Sequence, residues 1–293
     1  MAELSMTTAV PVGAGGTDDV PAEPLFVIEP AGNGLRVDFR ELWHYRDLLL
    51  MLTWREISVR YKQTLLGFSW AIIQPFMTMV VFTVFLGRLA KMPSDGIPYP
   101  VFSYLGLLPW TYFSGALTRS SNSLVTNANL LTKVYFPRVF IPLSGTLSAA
   151  VDFVIAFVVL IGLMLWYGIV PSFESLWLIP LSLLTALASM GVGMWLAALN
   201  VQYRDIQHAT PFLIQLWMYA TPIVYPASVV PAKYRIIFAI NPLTGINEAY
   251  RAAVLGRPID FAGLAVSTLV ILLVLVWGAR QFRRMERQFA DIV

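Results

Sequence analysis

Cysteine is absent from this chain, so neither a disulfide nor a thiolate metal site can form. Histidine is nearly absent. His44 and His208 are the two, and no clustered His or Glu accompanies either, which argues against a histidine metal centre. Charge is scarce as well: 13% of the 293 residues are Asp, Glu, Lys or Arg, against about 25% in soluble domains. The pattern GxxxxGK[ST] is missing, so the chain does not cradle ATP phosphates by itself. HExxH and GxSxG are missing too. A membrane glycosyltransferase would want paired acidic metal ligands at the membrane surface. The pair Asp18-Asp19 lies instead in a polar N-terminal stretch, so an enzyme is not the expectation. The net charge of +3 is modest, and no nucleic-acid partner is expected.

What is present is apolar sequence, 57% of the chain. A water-soluble core does not need that much, so the chain reads as an all-α integral membrane protein. Residues 1–35, containing AVPVGAGGTDDVPAEP, lack the basic start and apolar core of a signal peptide. Their composition cannot bury a core, so they read as a disordered tail. Residues 36–293 form the transmembrane domain. Asp38 and Glu41 are spaced like a capping box. Leu42, Tyr45, Leu49 and Leu52 follow at helical spacing, with Arg46, Asp47, Arg55 and Glu56 on the wetter side. This predicts an amphipathic interface helix over about 38–60, with Trp43, Tyr45 and Trp54 suited to an interface belt.

Crossing the hydrocarbon takes about 20 apolar residues as a helix. Six transmembrane helices are expected, at about 68–90, 99–118, 139–167, 176–199, 209–226 and 261–279. Pro109 and Pro222 predict kinks or early ends in the second and fifth. Between the fifth and sixth, Pro226, Pro231 and Pro242 break the chain. Two short apolar pieces there, about 233–240 and 243–254, suggest re-entrant helices before the last span. With the N-terminus inside, 14 of the 20 Lys and Arg fall on the cytoplasmic side; Arg88, Lys91, Lys233, Arg235, Arg251 and Arg257 fall outside. That asymmetry puts both termini in the cytoplasm.

Several residues invite a chemical reading. Asp152 is the one ionisable group deep inside an expected span. It either lines a polar path or is bonded to a neighbouring helix. Trp110, Phe113, Phe212, Trp217, Tyr219 and Tyr225 offer aromatic faces that stack on sugar C–H faces without fixing a chain in place. The other reading is an ordinary interfacial belt. In NVQYRD (200–205), Arg204 anchors by the positive-inside rule and Asp205 is placed to cap the next helix. In NPLTGINEAYR (241–251), Glu248 and Arg251 are three apart and would pair on a helix.

WREISVRYKQTLLGFSWAIIQPF (54–76), NLLTKVYFPR (129–138), NVQYRD and NPLTGINEAYR together resemble the membrane subunits of ABC-2 type polysaccharide exporters, the permeases for O-antigen, capsule and teichoic-acid precursors. The similarity runs from about residue 38 to the end. The resemblance implies a homodimer in the bacterial cytoplasmic (inner) membrane, with two copies of a separate ABC ATPase subunit that binds ATP and Mg; this chain carries no cofactor. It implies a glycan on polyprenyl pyrophosphate as cargo, with membrane lipid around it. It places headgroup access at Arg55, Arg60, Lys62, Leu66 and Gly67. It places ATPase coupling at Asn127, Asn129, Leu130, Leu131, Lys133 and Tyr135, with Arg204 as a second docking site. The glycan channel would be lined by the six aromatics and Asp152, and the outer gate formed by Asn241, Pro242, Glu248 and Arg251. The alternatives are an exporter of a small molecule or drug from the same superfamily, a membrane enzyme acting on lipid-linked sugars, and a channel subunit with no ATP requirement.

Overall fold

The computed structural model describes residues 43–62, 67–133, 136–286 and 289. The tail at 1–35 and the capping box at Asp38 and Glu41 lie outside those residues. Every regular element among the described residues is helical. In chain order they are α1 (Arg46–Lys62), α2 (Ser69–Phe82), α3 (Tyr99–Thr126), α4 (Ala128–Lys133), α5 (Phe140–Trp166), α6 (Leu178–Gln202), α7 (Ile206–Ala220), α8 (Arg235–Ile240), α9 (Pro242–Leu255) and α10 (Phe261–Glu286). A π-helical turn, Thr83–Leu89, prolongs α2, and a 3₁₀ turn, Phe173–Trp177, leads into α6.

Four of these segments are long and apolar enough to cross a membrane: Ser69–Leu89, Phe140–Trp166, Phe173–Gln202 and Phe261–Glu286. They coincide with the expected first, third, fourth and sixth spans. The expected second span is different in kind. At about 1.5 Å per residue, the 28-residue α3 is roughly 42 Å long. It runs on to Thr126, eight residues past the end expected near 118. Its composition is mixed because α2, α5, α6, α7 and α9 all pack around it. A helix buried by protein need not be apolar all round. Ser121 and Ser123 are buried and return their hydroxyls to the helix backbone, at Thr118 O (3.0 Å) and Ser120 O (2.7 Å). Tyr104, fully buried, donates to Ala156 O of α5 at 2.9 Å.

The expected fifth span also changes. α7 has 15 residues, roughly 22 Å at helical rise and short of a bilayer core of about 30 Å. It stops at Ala220 rather than near 226. Pro222 restricts the residue before it to extended backbone, and Thr221 is extended, at φ −106° and ψ 137°. Beyond it, α8 and α9 are short helices that fall on the two short apolar pieces at about 233–240 and 243–254. α9 is well terminated: Asn241 accepts from Leu243 N at 3.2 Å, Pro242 opens the helix, and Gly256 closes it at φ +62°.

Close backbone approach sets the α6–α10 contact. A Cβ on Gly278 would lie 2.0 Å from Gly191 O, so only glycine fits there; beside it Trp195 and Trp277 pack with centroids 4.8 Å apart. At the α1 end of the bundle, a second apolar cluster gathers Leu52 (α1), Leu124 (α3), Leu131 (α4), Phe140 and Ile141 (α5), Met194, Ala197 and Val201 (α6), and Phe282 (α10). The stripe Tyr45, Leu49 and Leu52 packs into this cluster, while Leu50, Met51 and Trp54 stay exposed. The face expected to meet lipid is therefore the one that meets protein. Gly278→Ala should lower stability by about 1–3 kcal/mol through overpacking, read as a drop in Tm in detergent. Gly162→Ala, whose Cβ would meet nothing within 4 Å, should leave Tm unchanged.

Candidate functional site

The polar residues of α1 converge on α5. Ser144, Ser148 and Asp152 recur every four residues along the apolar α5 and so share one face. Glu56 and Arg60 have the same spacing on α1. Both Ser144 and Ser148 donate to the Glu56 carboxylate at 3.0 Å. Further along, Arg60 Nη1 meets Asp152 Oδ2 at 2.6 Å, and Tyr61 donates its hydroxyl to the same carboxylate. The two helices thus advance together over this stretch, carrying Arg60 roughly 18 Å along α5 from Phe140.

α3 closes the seam. Arg119 Nη2 pairs with Asp152 Oδ2, so two guanidiniums share one carboxylate. Among the described residues the buried Arg119 Nη1 meets no acceptor. Arg55, on the exposed side of α1, donates to Asn127 Oδ1. Asn127 is buried at the break between α3 and α4; its Nδ2 donates to Ser123 O at 2.9 Å, and its carbonyl accepts from Leu130 N at 2.9 Å. Burial pushes the Glu56 carboxyl above its ordinary 4.5, against the two serine donors and the nearby arginines. Burial, with the Asp152 contact second, pushes the Tyr61 phenol up to about 12.

The expected headgroup residues fall around this seam. Arg60 is paired, Lys62 is exposed at the end of α1, and Gly67 turns the chain at φ +46°, where an added Cβ would meet nothing within 4 Å. Leu66 lies outside the described residues. Of the coupling residues, Asn129, Leu130 and Leu131 lie on α4, with Leu131 buried. Lys133 ends that helix, its side chain outside the described residues, as is Tyr135. Arg204 is exposed in the turn between α6 and α7. Asp205 begins α7 without a side-chain cap, contrary to the expectation for it.

The seven residues expected to line a glycan path are not brought together within the chain. Trp110 and Phe113 are buried in the core, because neighbouring helices enclose their part of α3. Phe113 packs edge-on against Trp217 at 5.0 Å, and Trp217 Nε1 donates to Asn241 Oδ1 at 3.1 Å. Phe212 and Tyr219 stand on an exposed face of α7, and Tyr225 donates to Tyr219 O at 3.2 Å. Asp152 belongs to the α1 seam, bonded to neighbouring helices. In the expected outer gate, Asn241 joins α7 to α9 by donating to Thr221 Oγ1 at 2.8 Å, with Pro242 beside it opening α9. Arg251 is 5% exposed, pairs with Glu248 at 3.0 Å as its spacing predicts, donates to Ile223 O at 2.5 Å and lies 3.9 Å over the Phe102 ring.

Besides Ser144 and Ser148, the seam residues that the sequence does not single out are Glu56, Tyr61 and Arg119. Its periodicity puts Glu56 on the wetter side, and its hydropathy puts Arg119 in a loop. The signal that could have found them is the four-residue polar line on α5, which demands an equally spaced polar partner.

Four helices long and apolar enough to cross a membrane, with a carboxylate shared between two arginines of neighbouring helices, are the build of an integral membrane protein. Residues 47–255 match the model of the ABC-2 type transporter family, and the chain belongs to that family. It is 31% identical to the O-antigen export system permease protein RfbA of Myxococcus xanthus over 87% of this chain and 98% of that one. The same-named protein of Klebsiella pneumoniae is 29% identical over 84% and 95%. The polysialic acid transport protein KpsM of Escherichia coli is 27% identical over 75% and 87%.

Removing the shared carboxylate leaves two arginines facing each other. Asp152→Asn should cost about 2 kcal/mol, below the 3–5 typical of full burial because the pair is partly wet, seen as a lowered Tm. Glu56 gives the opposite pH signature to a stabilised carboxylate. Its folded pKa lies above the unfolded one, so the folded state holds the proton more tightly and stability falls as pH rises through the window just above 4.5. Glu56→Gln should flatten that slope in thermal unfolding between pH 4 and 7.

Proposed function

We propose that this chain is the membrane subunit of an ATP-driven exporter that moves polysaccharide carried on a polyprenyl pyrophosphate across the bacterial cytoplasmic membrane. The observation that carries this reading is the unequal charge of the seam. Two guanidiniums share one carboxylate, one of their nitrogens has no acceptor among the described residues, and the exposed Lys62 lies alongside. A diphosphate supplies the missing acceptors, and Arg offers it a two-pronged donor. Gly67, in the left-handed region, lets the backbone turn close to such a headgroup. The names of the relatives, concerned with O-antigen export and polysialic acid transport, favour a glycan over a small molecule.

In this reading α3 is the second of six crossings, its polarity tolerated by burial, and α7 with the extended residues after it is the fifth. α8 and α9 dip into the outer leaflet as gate helices, and both termini are cytoplasmic. Two copies pair around the glycan path. The exposed Phe212 and Tyr219 of α7 are the aromatics best placed to face it. Two ATPase subunits engage α4 and Arg204 and supply the energy that biases the bundle between two states.

Deleting the chain should leave lipid-linked glycan inside the cell and remove it from the surface; unchanged surface glycan would sink the reading. In cells carrying Arg60→Gln with Lys62→Gln, insertion should be normal while export falls about tenfold, the scale of losing one charge-assisted hydrogen bond.

A further inference from the structure

We infer that α1 is a two-way relay that couples headgroup occupancy at Arg60 to the ATPase-facing turn at Asn127. This rests on the reading above that a diphosphate headgroup meets the seam and that an ATPase subunit engages α4. Arg55 and Arg60 lie on one unbroken helix, Arg46–Lys62, roughly 7.5 Å apart along its axis. One reaches the break between α3 and α4; the other reaches the carboxylate of α5.

The far end of each contact is firmly held. Asn127 is fixed to the last turn of α3 by two bonds to Ser123 O, from its N at 3.1 Å and its Nδ2 at 2.9 Å. Its backbone, at φ −106° and ψ 23°, leaves the helical region, so it stands where α4 can swing against α3. Leu131 of α4 and Leu52 of α1 belong to the same apolar cluster at this end, so a shift of α4 repacks the cluster that also holds α1. At the other contact, Asp152 and an incoming diphosphate compete for Arg60. Replacing one anion by the other moves the anchor of α1, and Glu56 follows on Ser144 and Ser148.

Two contacts on one rigid element cannot be set independently. A headgroup that shifts α1 changes the strength of the Arg55–Asn127 bond. An ATPase that tilts α4 changes, through the same bond, how firmly Arg60 is held by Asp152. Linkage makes the two effects equal in binding free energy.

The test uses the complete transporter with its ATPase subunit in nanodiscs, and sugar-free polyprenyl pyrophosphate as the probe. Half-saturating lipid concentration is measured nucleotide-free and vanadate-trapped. In the wild type the two values should differ by about fivefold or more, the lower end of allosteric coupling. Arg55→Gln and Asn127→Ala should each bring the ratio close to one, and combining them should change it no further. Lys62→Gln, which removes a cation from the same helix, should weaken lipid binding equally in both states and keep the ratio. If Arg55→Gln does not assemble, Arg55→Lys reads the same ratio with the charge retained. A wild-type ratio near one overturns the relay, as does a full ratio in either variant. Absence of lipid binding in the wild type overturns the headgroup reading and the relay with it, which separates the two failures.

Discussion

One carboxylate holds three helices in register. Asp152 sits at the head of the uninterrupted apolar run 153–166 of α5, where an isolated charge is costly. It is tolerated because Arg60 from α1 and Arg119 from α3 both converge on it, with the Tyr61 hydroxyl alongside. Ion pairs at a wet surface contribute about 0–1 kcal/mol. In a bilayer the alternative to pairing is a charge in hydrocarbon, so the same contact restricts which arrangements the bundle can adopt at all. α1 cannot rotate without stripping Arg60 and Glu56 of their partners. α3 cannot slide without leaving Arg119 unpaired.

That constraint explains the unusual central helix. Most membrane helices are apolar outside and carry small or polar residues where they touch one another. α3 touches others on nearly every side, so it is rich in serine and aromatic residues and poor in the aliphatics that mark a lipid-facing span. Ser120 lies where Cβ atoms on Gly145 and Gly193 would collide with it. The neighbours α5 and α6 thus approach α3 at backbone distance, with glycine on their side and serine on its own.

Much of the fold is legible in the sequence, and the reasons are local. Four long apolar runs correspond to α2, α5, α6 and α10. The proline-broken stretch before the last run holds α8 and α9, and Glu248 and Arg251 pair as their spacing requires. What is not legible depends on distant partners. Hydropathy cannot distinguish a polar helix buried by its neighbours from a loop, so Arg119 reads as a loop cation. Periodicity marks an apolar face on α1 but does not say whether protein or lipid covers it. The aromatics group together by chemistry, yet Trp110 and Phe113 are held in the core by the enclosure of α3, a fact of topology alone.

The opposite end of the molecule solves the complementary problem. There the difficulty is open backbone instead of charge: between Thr221 and Asn241 the chain is not continuously helical, and its carbonyls need donors. Arg251 from α9 donates to Ile223 O, and Asn241 donates to Ala220 O at 3.3 Å. The same Asn241 accepts from Trp217 Nε1, fixing the end of α7 against the turn into α9. Arg251 fits because Gly106 of α3 leaves it room; a Cβ there would sit 2.8 Å from the Arg251 Nη2 and 2.3 Å from Ile223 O. Both ends of α3 therefore carry an arginine network, one satisfying a carboxylate and the other a broken backbone. Each secures a segment that is not a simple spanning helix, α1 at one end and α9 at the other. A shift of either segment has to break charge-assisted hydrogen bonds that α3 helps to hold, so the central helix is the common reference against which both ends can move.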